Sequence, residues 1–406
     1  MLYIPEDVNL ILTELNNRGY SAYLVGGCVR DAIMGNIPND YDITTSAMPN
    51  EIQSVFENRK TLDIGIKHGT ITVFTDIGRQ VEVTTYRTDG EYKDNRHPES
   101  VTFVNDIEAD LSRRDFTVNA LAYNPQDGLV DIFGGKNDID NKIIRCVGNP
   151  DIRFNEDALR ILRGLRFAST LGFSVEKNTA ESIKNNAELL QNVSVERIFV
   201  ELKKMLVGEN FVNISKEFSF VMSIVLPELL QSAGDINVPF ERISFVNNDF
   251  ITQFSLLFCN GNEYDIILAE NCLRRLNSDK KSINSVKDLL NAFYSFDENL
   301  SVKHIINKLG YENAERFFKL KSCIDVENSK NFENDLKLLI KIKENEECVF
   351  VDDMAISGKD LVALGFTANK SMGDVLNTLF EMVLNDIVPN EKEALICKAL
   401  ELKKIY

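Results

Sequence analysis

Histidine is scarce in this chain, with three residues among 406. His68, His97 and His304 are too few and too scattered to assemble a histidine-aspartate metal phosphohydrolase centre easily. The seven cysteines form no Cys-x-x-Cys pair, which argues against the usual zinc and redox motifs. We therefore expect reduced, mostly buried thiols.

Long apolar runs are also missing. No stretch of about 18 apolar residues occurs, so the sequence predicts no membrane-spanning helix. The segment Met1–Asp7 lacks the basic start and apolar core of a signal peptide. These absences predict a cytoplasmic protein without a membrane partner, and 406 residues predict two or more domains.

An excess of positive charge is the third absence. The net charge of −17 argues against indiscriminate binding of polyanions, because affinity for nucleic acid comes largely from neutralised phosphates. Residues 151–204 are more balanced, with nine basic and eight acidic side chains. Any nucleic-acid partner should therefore bind a restricted, less acidic face.

The hydrophobic pattern changes near residue 150. Before about Asn141, short β-rich runs alternate with helical stretches, which predicts an α+β head built on a sheet. From Asp151 onward the apolar spacing is helical, which predicts an all-helical remainder. The predicted strands are Ala22–Val25, Tyr41–Thr44, Thr70–Thr75, Gln80–Tyr86 and Leu129–Ile132, and the predicted head helices are Glu6–Asn17, Cys28–Met34, Asn50–Glu57 and Phe116–Tyr123.

A glycine turn followed by two carboxylates is the densest chemical signal. Gly26-Gly27 lies between a predicted strand and a predicted helix, where free backbone N–H groups can hold phosphate. Asp40 and Asp42 are two positions apart, so along a strand they point to one face and can bind hard divalent cations through oxygen. This layout predicts a metal-dependent site for nucleotide transfer, although each element alone is also common in ordinary turns and caps.

Glu82 is the candidate third carboxylate. In Gln80–Arg87, alternation places Glu82 on one face of a predicted strand. If that strand lies beside the one with Asp42, Glu82 can orient or deprotonate the attacking hydroxyl. The alternative is an edge strand from which Glu82 simply faces solvent.

Two further clusters suit a nucleotide. Arg113 and Arg114 are predicted at the start of a helix, where their guanidinium groups suit triphosphate oxygens, and Asp115 or Asn119 can contact a ribose hydroxyl. The alternative is solvated arginines with Asp115 as a helix cap.

The second cluster is Glu156-Asp157-x-x-Arg160, predicted at a helix start with its side chains close together. A carboxylate beside a guanidinium matches the donor-acceptor edge of cytosine or adenine and leaves guanine or uracil with unpaired groups. An ordinary surface ion pair explains the same spacing, and the residues alone favour that simpler interpretation.

The ordered motifs together resemble the class II tRNA nucleotidyltransferases, the CCA-adding enzymes, with bacterial poly(A) polymerases as near relatives. The similarity extends over residues 20–205, and the segments Asp131–Gly135 and Ser194–Arg197 match the family's hinge and the helical support of its template. Segments 356–361 and 385–390 resemble the tail that holds tRNA.

The resemblance implies a small polymerase-β-like nucleotidyltransferase head (1–142), a helical neck (143–207), a helical body (208–345) and a helical tail (346–406). It implies Mg²⁺ as cofactor, and the tRNA 3′ end, CTP and ATP as partners. The implied catalytic residues are Asp40, Asp42 and Glu82, with Asp40 and Asp42 as metal ligands, and the implied nucleotide-binding residues are Gly26, Gly27, Arg30, Arg113, Arg114, Asp115, Asn119, Glu156, Asp157, Arg160 and Arg163.

Four functions stay open at this level. The segment Arg87–Val104 resembles the flexible loop of enzymes that add the terminal A, which favours full CCA addition. Its Asn95-Arg96-His97 stretch departs from a doubly basic version and leaves an A-only enzyme possible. The intact Glu156-Asp157-x-x-Arg160 suits a C-or-A template and argues against a poly(A) polymerase, although the two families share most of these residues. A catalytically inactive RNA-binding scaffold is the alternative from another class, and the intact Asp40 and Asp42 argue against it.

Overall fold

The structure, a computed structural model, describes residues 2–90, 101–245, 249–262, 264–297 and 300–403. The chain divides into two compact units. One comprises Met1–Leu230, Asp235–Phe240 and Arg275–Asn277, and the other comprises Gln231–Gly234, Glu241–Arg274 and Ser278–Tyr406.

The head is built on a mixed seven-stranded sheet in the order β3-β4-β5-β2-β1-β8-β9. Two small ladders, β6-β7 and β10-β11, accompany it. The strands are β1 (Ala22–Val25), β2 (Tyr41–Thr45), β3 (Thr61–Leu62), β4 (Thr70–Phe74), β5 (Gln80–Thr85), β6 (Arg87–Asp89), β7 (Val101–Phe103), β8 (Ala122–Asn124), β9 (Gly128–Val130), β10 (Ile143–Ile144) and β11 (Ser174–Val175).

The described part of the chain after the head is helical apart from β10 and β11, as predicted. The helices are α1 (Glu6–Asn17), α2 (Gly27–Ile33), α3 (Pro49–Val55), α4 (Ile107–Ser112), α5 (Gly135–Asp140), α6 (Pro150–Glu156), α7 (Leu159–Leu171), α8 (Lys177–Asn186), α9 (Val195–Leu206), α10 (Phe211–Glu217), α11 (Ser219–Val225), α12 (Pro227–Ala233), α13 (Asn237–Phe240), α14 (Phe250–Leu257), α15 (Asp265–Arg275), α16 (Lys280–Ser295), α17 (Val302–Ile324, kinked at Gly310), α18 (Ser329–Glu344), α19 (Gly358–Ala363), α20 (Lys370–Leu384) and α21 (Lys392–Leu402). None of the described helices is both long and apolar enough to cross a membrane.

One predicted helix is wrong. Phe116–Tyr123 contains a single 3₁₀ turn, Thr117–Asn119, and then enters β8, which lies between β1 and β9. Every residue from Phe116 to Tyr123 is buried. A short, continuously buried apolar run has neither the helical nor the strand period, so only its sheet neighbours determine its conformation.

The C-terminal segment packs around a hydrophobic core of its own. Buried side chains from Cys348 to Leu402 form one cluster, centred on Leu361, Val375 and Leu379. The core lies within the predicted tail, and the four-part domain division stays a prediction.

A close backbone approach explains Gly135, the first residue of α5. A Cβ atom there would lie 2.2 Å from the carbonyl oxygen of Thr117, which is backbone and cannot rotate away. We expect Gly135→Ala to lower the stability of the protein by about 1–3 kcal/mol through overpacking, measured by chemical denaturation. Gly373→Ala is the control, because Gly373 is exposed within α20 with open space around it, so the change should be neutral or stabilising by up to about 1 kcal/mol. Equal effects of the two changes would contradict the packing argument.

Candidate active site

The glycine turn joins β1 to α2 as predicted. Gly26 has φ 78° and ψ −133°, a region that side chains other than hydrogen strongly disfavour. The Nη1 atom of Arg114 lies 3.4 Å from the point where a Cβ on Gly26 would be. The turn therefore lets an arginine approach the backbone closely, next to the N-terminal N–H groups of α2.

The next feature of the site is a group of three carboxylates, those of Asp40, Asp42 and Glu82. The parallel pairing of β2 and β5 places Glu82 directly opposite Asp42, which meets the condition set for Glu82 by the sequence. Asp40 immediately precedes β2, and all three residues are exposed. Asp42 is exposed, but the surrounding protein removes part of the hydration of its carboxylate. This desolvation, together with the negative charges of Glu82 and Asp40, raises the pKa of Asp42 to about 6.

The oxygen-only chemistry of these groups suits a hard divalent cation. Asp40, Asp42 and Glu82 are the side chains that could hold such a cation, with its remaining ligands taken from water and substrate phosphates. The negative charges of Asp42, Glu82 and Asp40 repel one another, and a bound cation would relieve this repulsion.

Arg113 and Arg114 follow the end of α4, so their prediction at a helix start is wrong. The carboxylate of Asp110, on the last turn of α4, binds both guanidinium groups, with N–O distances of 2.8 Å to Arg113 and 3.2 Å to Arg114. Within the described residues, the buried Nε of Arg114 has no hydrogen-bond acceptor. Arg114 therefore retains a donor for an incoming anion.

The residues predicted to contact the sugar are bound to arginines instead. The carboxylate of Asp115 accepts hydrogen bonds from Arg163 at 2.6 and 2.9 Å and from the backbone N–H of Phe116. Arg30 is buried and donates to Asn119 at 2.6 Å. Arg163 and the neighbouring guanidinium groups hold the pKa of Asp115 at about 2 despite its burial. These contacts bring Arg30, Asn119, Asp115 and Arg163 into one network.

The predicted base-reading residues are divided between two ion pairs. Glu156 ends α6, Asp157 is extended, and Arg160 lies in α7, so the motif spans a break between helices and is not at a simple helix start. Arg160 pairs with Glu156, whereas Asp157 accepts two hydrogen bonds from Arg197 of α9, at 2.8 and 3.2 Å. Asp157 is therefore held by a residue 40 positions away rather than by Arg160.

Asp110 and Glu201 are two residues that the sequence analysis missed. Asp110 is fully buried, and Glu201 binds Arg166 at 2.8 Å and lies 3.6 Å from Arg163. The spacing of Asp110 three and four positions before the arginines was a usable signal within a helix. Glu201 gave no such signal, because its partners lie 35 and 38 positions away.

The central part of the predicted flexible loop, residues 91–100 with Asn95–His97, lies outside the described residues. Its two ends pair as β6 and β7, with Arg87 opposite Phe103.

Comparisons with known proteins agree with this geometry. Family models for the poly A polymerase head domain and for tRNA nucleotidyltransferase domain 2 match residues 22–145 and 252–399. A third model, "Probable RNA and SrmB- binding site of polymerase A", matches residues 172–217. The class defined by the fold and the site is thus a nucleotidyltransferase with a polymerase-type head and helical domains.

Relatives narrow the class. The CCA-adding enzyme of Ligilactobacillus salivarius is 35% identical over 97% of this chain and 95% of its own length. That of Geobacillus thermodenitrificans is 51% identical over 49% of this chain and 48% of its own. The crystal structure of the Bacillus stearothermophilus CCA-adding enzyme in complex with CTP matches with a TM-score of 0.79 and 29% identity, covering 99% of both chains. The chain belongs to the CCA-adding enzyme family of tRNA nucleotidyltransferases.

The depressed pKa of Asp115 predicts an acid-sensitive contribution to folding. A carboxyl with pKa about 2 in the folded protein and 3.8 when unfolded stabilises the fold above pH 4 and loses this effect as pH falls through 2. The shift corresponds to about 2 kcal/mol. We expect Asp115→Asn to be less stable than the unchanged protein at pH 6, with the gap narrowing by about 2 kcal/mol toward pH 2. Urea unfolding monitored at several pH values measures this gap, and a gap that does not change with pH would contradict the assignment.

Proposed function

We propose that this chain adds C, C and then A to the 3′ end of tRNA, using CTP and ATP, releasing pyrophosphate and needing no nucleic-acid template. The observation that carries the proposal is the register of β2 and β5, which sets Asp42 beside Glu82 next to the Gly26 turn and Arg114. Nucleotidyl transfer to a hydroxyl depends mainly on positioning and on charge stabilisation, and this site supplies both.

Asp40 and Asp42 would hold a divalent metal, which we assign as Mg²⁺ from the oxygen-only chemistry of their carboxylates. When bound, the ion stabilises the negative charge that develops on the attacking and leaving oxygens. The 3′ hydroxyl of tRNA attacks the α-phosphate, and pyrophosphate leaves. Glu82, opposite Asp42, orients the attacking hydroxyl and accepts its proton.

Arginines and backbone amides bind the triphosphate. The N–H groups at the start of α2, including that of Gly27, point toward the glycine turn. Arg114 contributes its guanidinium group, whose Nη1 lies against the Gly26 turn. Arg113 adds a second guanidinium on the same stretch of chain, and Arg30 lies behind them, fixed to Asn119.

Asp157 and Arg160 read the base. Arg197 donates a hydrogen bond to each oxygen of Asp157 and thereby orients the carboxylate. The oxygens keep lone pairs that can accept from the exocyclic amine of cytosine or adenine. Arg160 is turned toward Glu156 and donates to the carbonyl oxygens of Arg153 and Arg113, at 3.2 and 3.3 Å. Guanine and uracil would bring a carbonyl oxygen against the carboxylate, which leaves polar groups unpaired at a cost of about 1–3 kcal/mol.

The predicted head, neck, body and tail, with boundaries at 142, 207 and 345, correspond in this proposal to catalysis, base reading, support and tRNA binding. The substrate tRNA places the reaction in the cytoplasm. A-only addition and poly(A) extension are the competing activities.

One assay tests the proposal against these competitors. Purified protein is incubated with labelled tRNA that ends at the discriminator base, with CTP alone, with ATP alone and with both. We expect two added nucleotides with CTP alone and three with both, together with pyrophosphate release that requires Mg²⁺. An A-only enzyme would leave this tRNA unextended with CTP alone, and a poly(A) polymerase would extend it with ATP alone. Asp42→Asn should reduce extension at least about 100-fold, because positioned charge is the main source of catalysis.

The base-reading assignment has its own test. We expect Asp157→Ala and Arg160→Ala to incorporate all four nucleotides with reduced discrimination, because each variant removes one half of the hydrogen-bonding edge. The loss should be about 5- to 150-fold in the ratio of kcat/KM for CTP over UTP, from about 1–3 kcal/mol per unpaired group. Arg145→Ala, which removes a partly exposed ion pair with Asp138, is the matched control and should keep the ratio. Selectivity that is unchanged in both test variants would exclude this role.

A further inference from the structure

The buried carboxylate of Asp110 accepts hydrogen bonds from several donors at once. Its side chain is completely buried, and among the described residues its oxygens accept hydrogen bonds from arginine side chains, a backbone N–H and a hydroxyl. The arginines beside it hold the pKa of this carboxyl below its usual range despite the burial. The donors, with distances to a carboxylate oxygen, are Arg113 Nη2 at 2.8 Å and Nε at 3.0 Å, Arg114 Nη2 at 3.2 Å, Thr44 Oγ1 at 3.2 Å and the backbone N–H of Arg87 at 3.3 Å.

These donors come from three different parts of the site. Thr44 lies in β2, two positions after Asp42, so the contact ties α4 to the strand that carries the metal-binding carboxylate. Arg87 is the first residue of β6, which follows the strand of Glu82. Arg113 and Arg114 are the arginines assigned to the triphosphate. The carboxylate of Asp110 thus contacts the chain near Asp42, near Glu82 and at the two arginines.

The orientation of Arg114 shows what the contact achieves. With Nη2 held by Asp110, Nη1 lies against the Gly26 turn. The charge of the guanidinium partly opposes the rise in the pKa of Asp42 that desolvation and Glu82 cause. The position of Arg113 also bears on Arg160, because the backbone carbonyl of Arg113 accepts a hydrogen bond from Arg160. An arginine with several rotatable bonds would otherwise sample many positions over the turn.

We infer that Asp110 is a positioning residue, which orients Arg114 over the Gly26 turn and Arg113 beside it so that both meet the triphosphate of the incoming nucleotide. The inference rests on the proposed function, since it assigns the arginines to CTP and ATP. Asp110 itself does not contact the nucleotide. Its effect should therefore appear in nucleotide affinity and in turnover, and not in tRNA affinity.

Asp110→Asn and Asp138→Asn form a matched pair for the test. Asp138 is also a buried aspartate of the head, bound to Arg145 at 3.0 Å and to Thr117 Oγ1 at 2.6 Å, and neither of these side-chain partners is assigned to the nucleotide. The two substitutions keep the side-chain shape and remove one buried charge each. Calorimetric titration with CTP and Mg²⁺, and the KM values for CTP and tRNA, are compared in both variants.

We expect Asp110→Asn to weaken CTP binding by about 10- to 100-fold, the loss typical of a group displaced by about an ångström, with the KM for tRNA unchanged. Asp138→Asn should lose stability but keep its CTP affinity. If both variants bind CTP like the unchanged protein, or if both lose affinity equally, Asp110 has only a structural role and the inference is wrong.

Thr44→Val keeps the test decisive if Asp110→Asn does not fold. Valine has nearly the same shape as threonine and removes the hydroxyl that can donate to Asp110 and to the backbone carbonyl of Thr84, so a smaller weakening of CTP binding, about two- to tenfold, is expected from the loss of one uncharged donor. Unchanged CTP affinity in Thr44→Val would then overturn the inference. If the unchanged protein binds CTP but does not extend tRNA, the proposed function fails, whereas the titration still reports on Asp110.

Discussion

Pairing between β2 and β5 is the interaction on which the site depends. Because the two strands are parallel and in register, Asp42 and Glu82 are neighbours across the ladder, about 4.8 Å apart at the backbone. Like charges directly opposite each other destabilise a sheet. The buried rows on either side, with Ile43 beside Val83 and Tyr41 beside Val81, supply the burial that holds this unfavourable pair in place. The head therefore concentrates negative charge on an exposed face of the sheet, and a bound cation would relieve the repulsion.

Several aspartates of the candidate site form ion pairs with arginines. Asp110 holds Arg113 and Arg114, Asp115 holds Arg163, and Asp157 is held by Arg197. In each case a carboxylate that is largely shielded from water restrains a flexible guanidinium before any ligand binds. Ordering a long side chain costs up to about 2 kcal/mol, so a restraint built into the fold removes that cost from nucleotide binding.

Local patterns in the sequence predicted the local parts of this structure. The glycine turn, α1, and the strands that carry Asp42 and Glu82 follow from apolar period and turn chemistry, which act over a few residues. The prediction for Phe116–Tyr123 failed because its buried run has no period, and β8 forms only through its pairing with β1 and β9. The ion pair between Asp157 and Arg197 could not be predicted for a related reason, since spacing shows neighbours within one helix and Arg197 belongs to another. The roles of the site residues stay predictions.

Base reading by side chains sets a limit on how rigid this network can be. Cytosine and adenine differ in size, so a pocket that accepts one after the other must keep the direction of its hydrogen bonds while its width changes. Asp157 and Arg160 are anchored separately, the first to α9 through Arg197 and the second to Glu156 and to the carbonyl of Arg113. If Asp157 and Arg160 read the base as proposed, two independent anchors would let the distance between acceptor and donor change from one base to the other, whereas a direct Asp157–Arg160 pair would have to break before either group could reach a base.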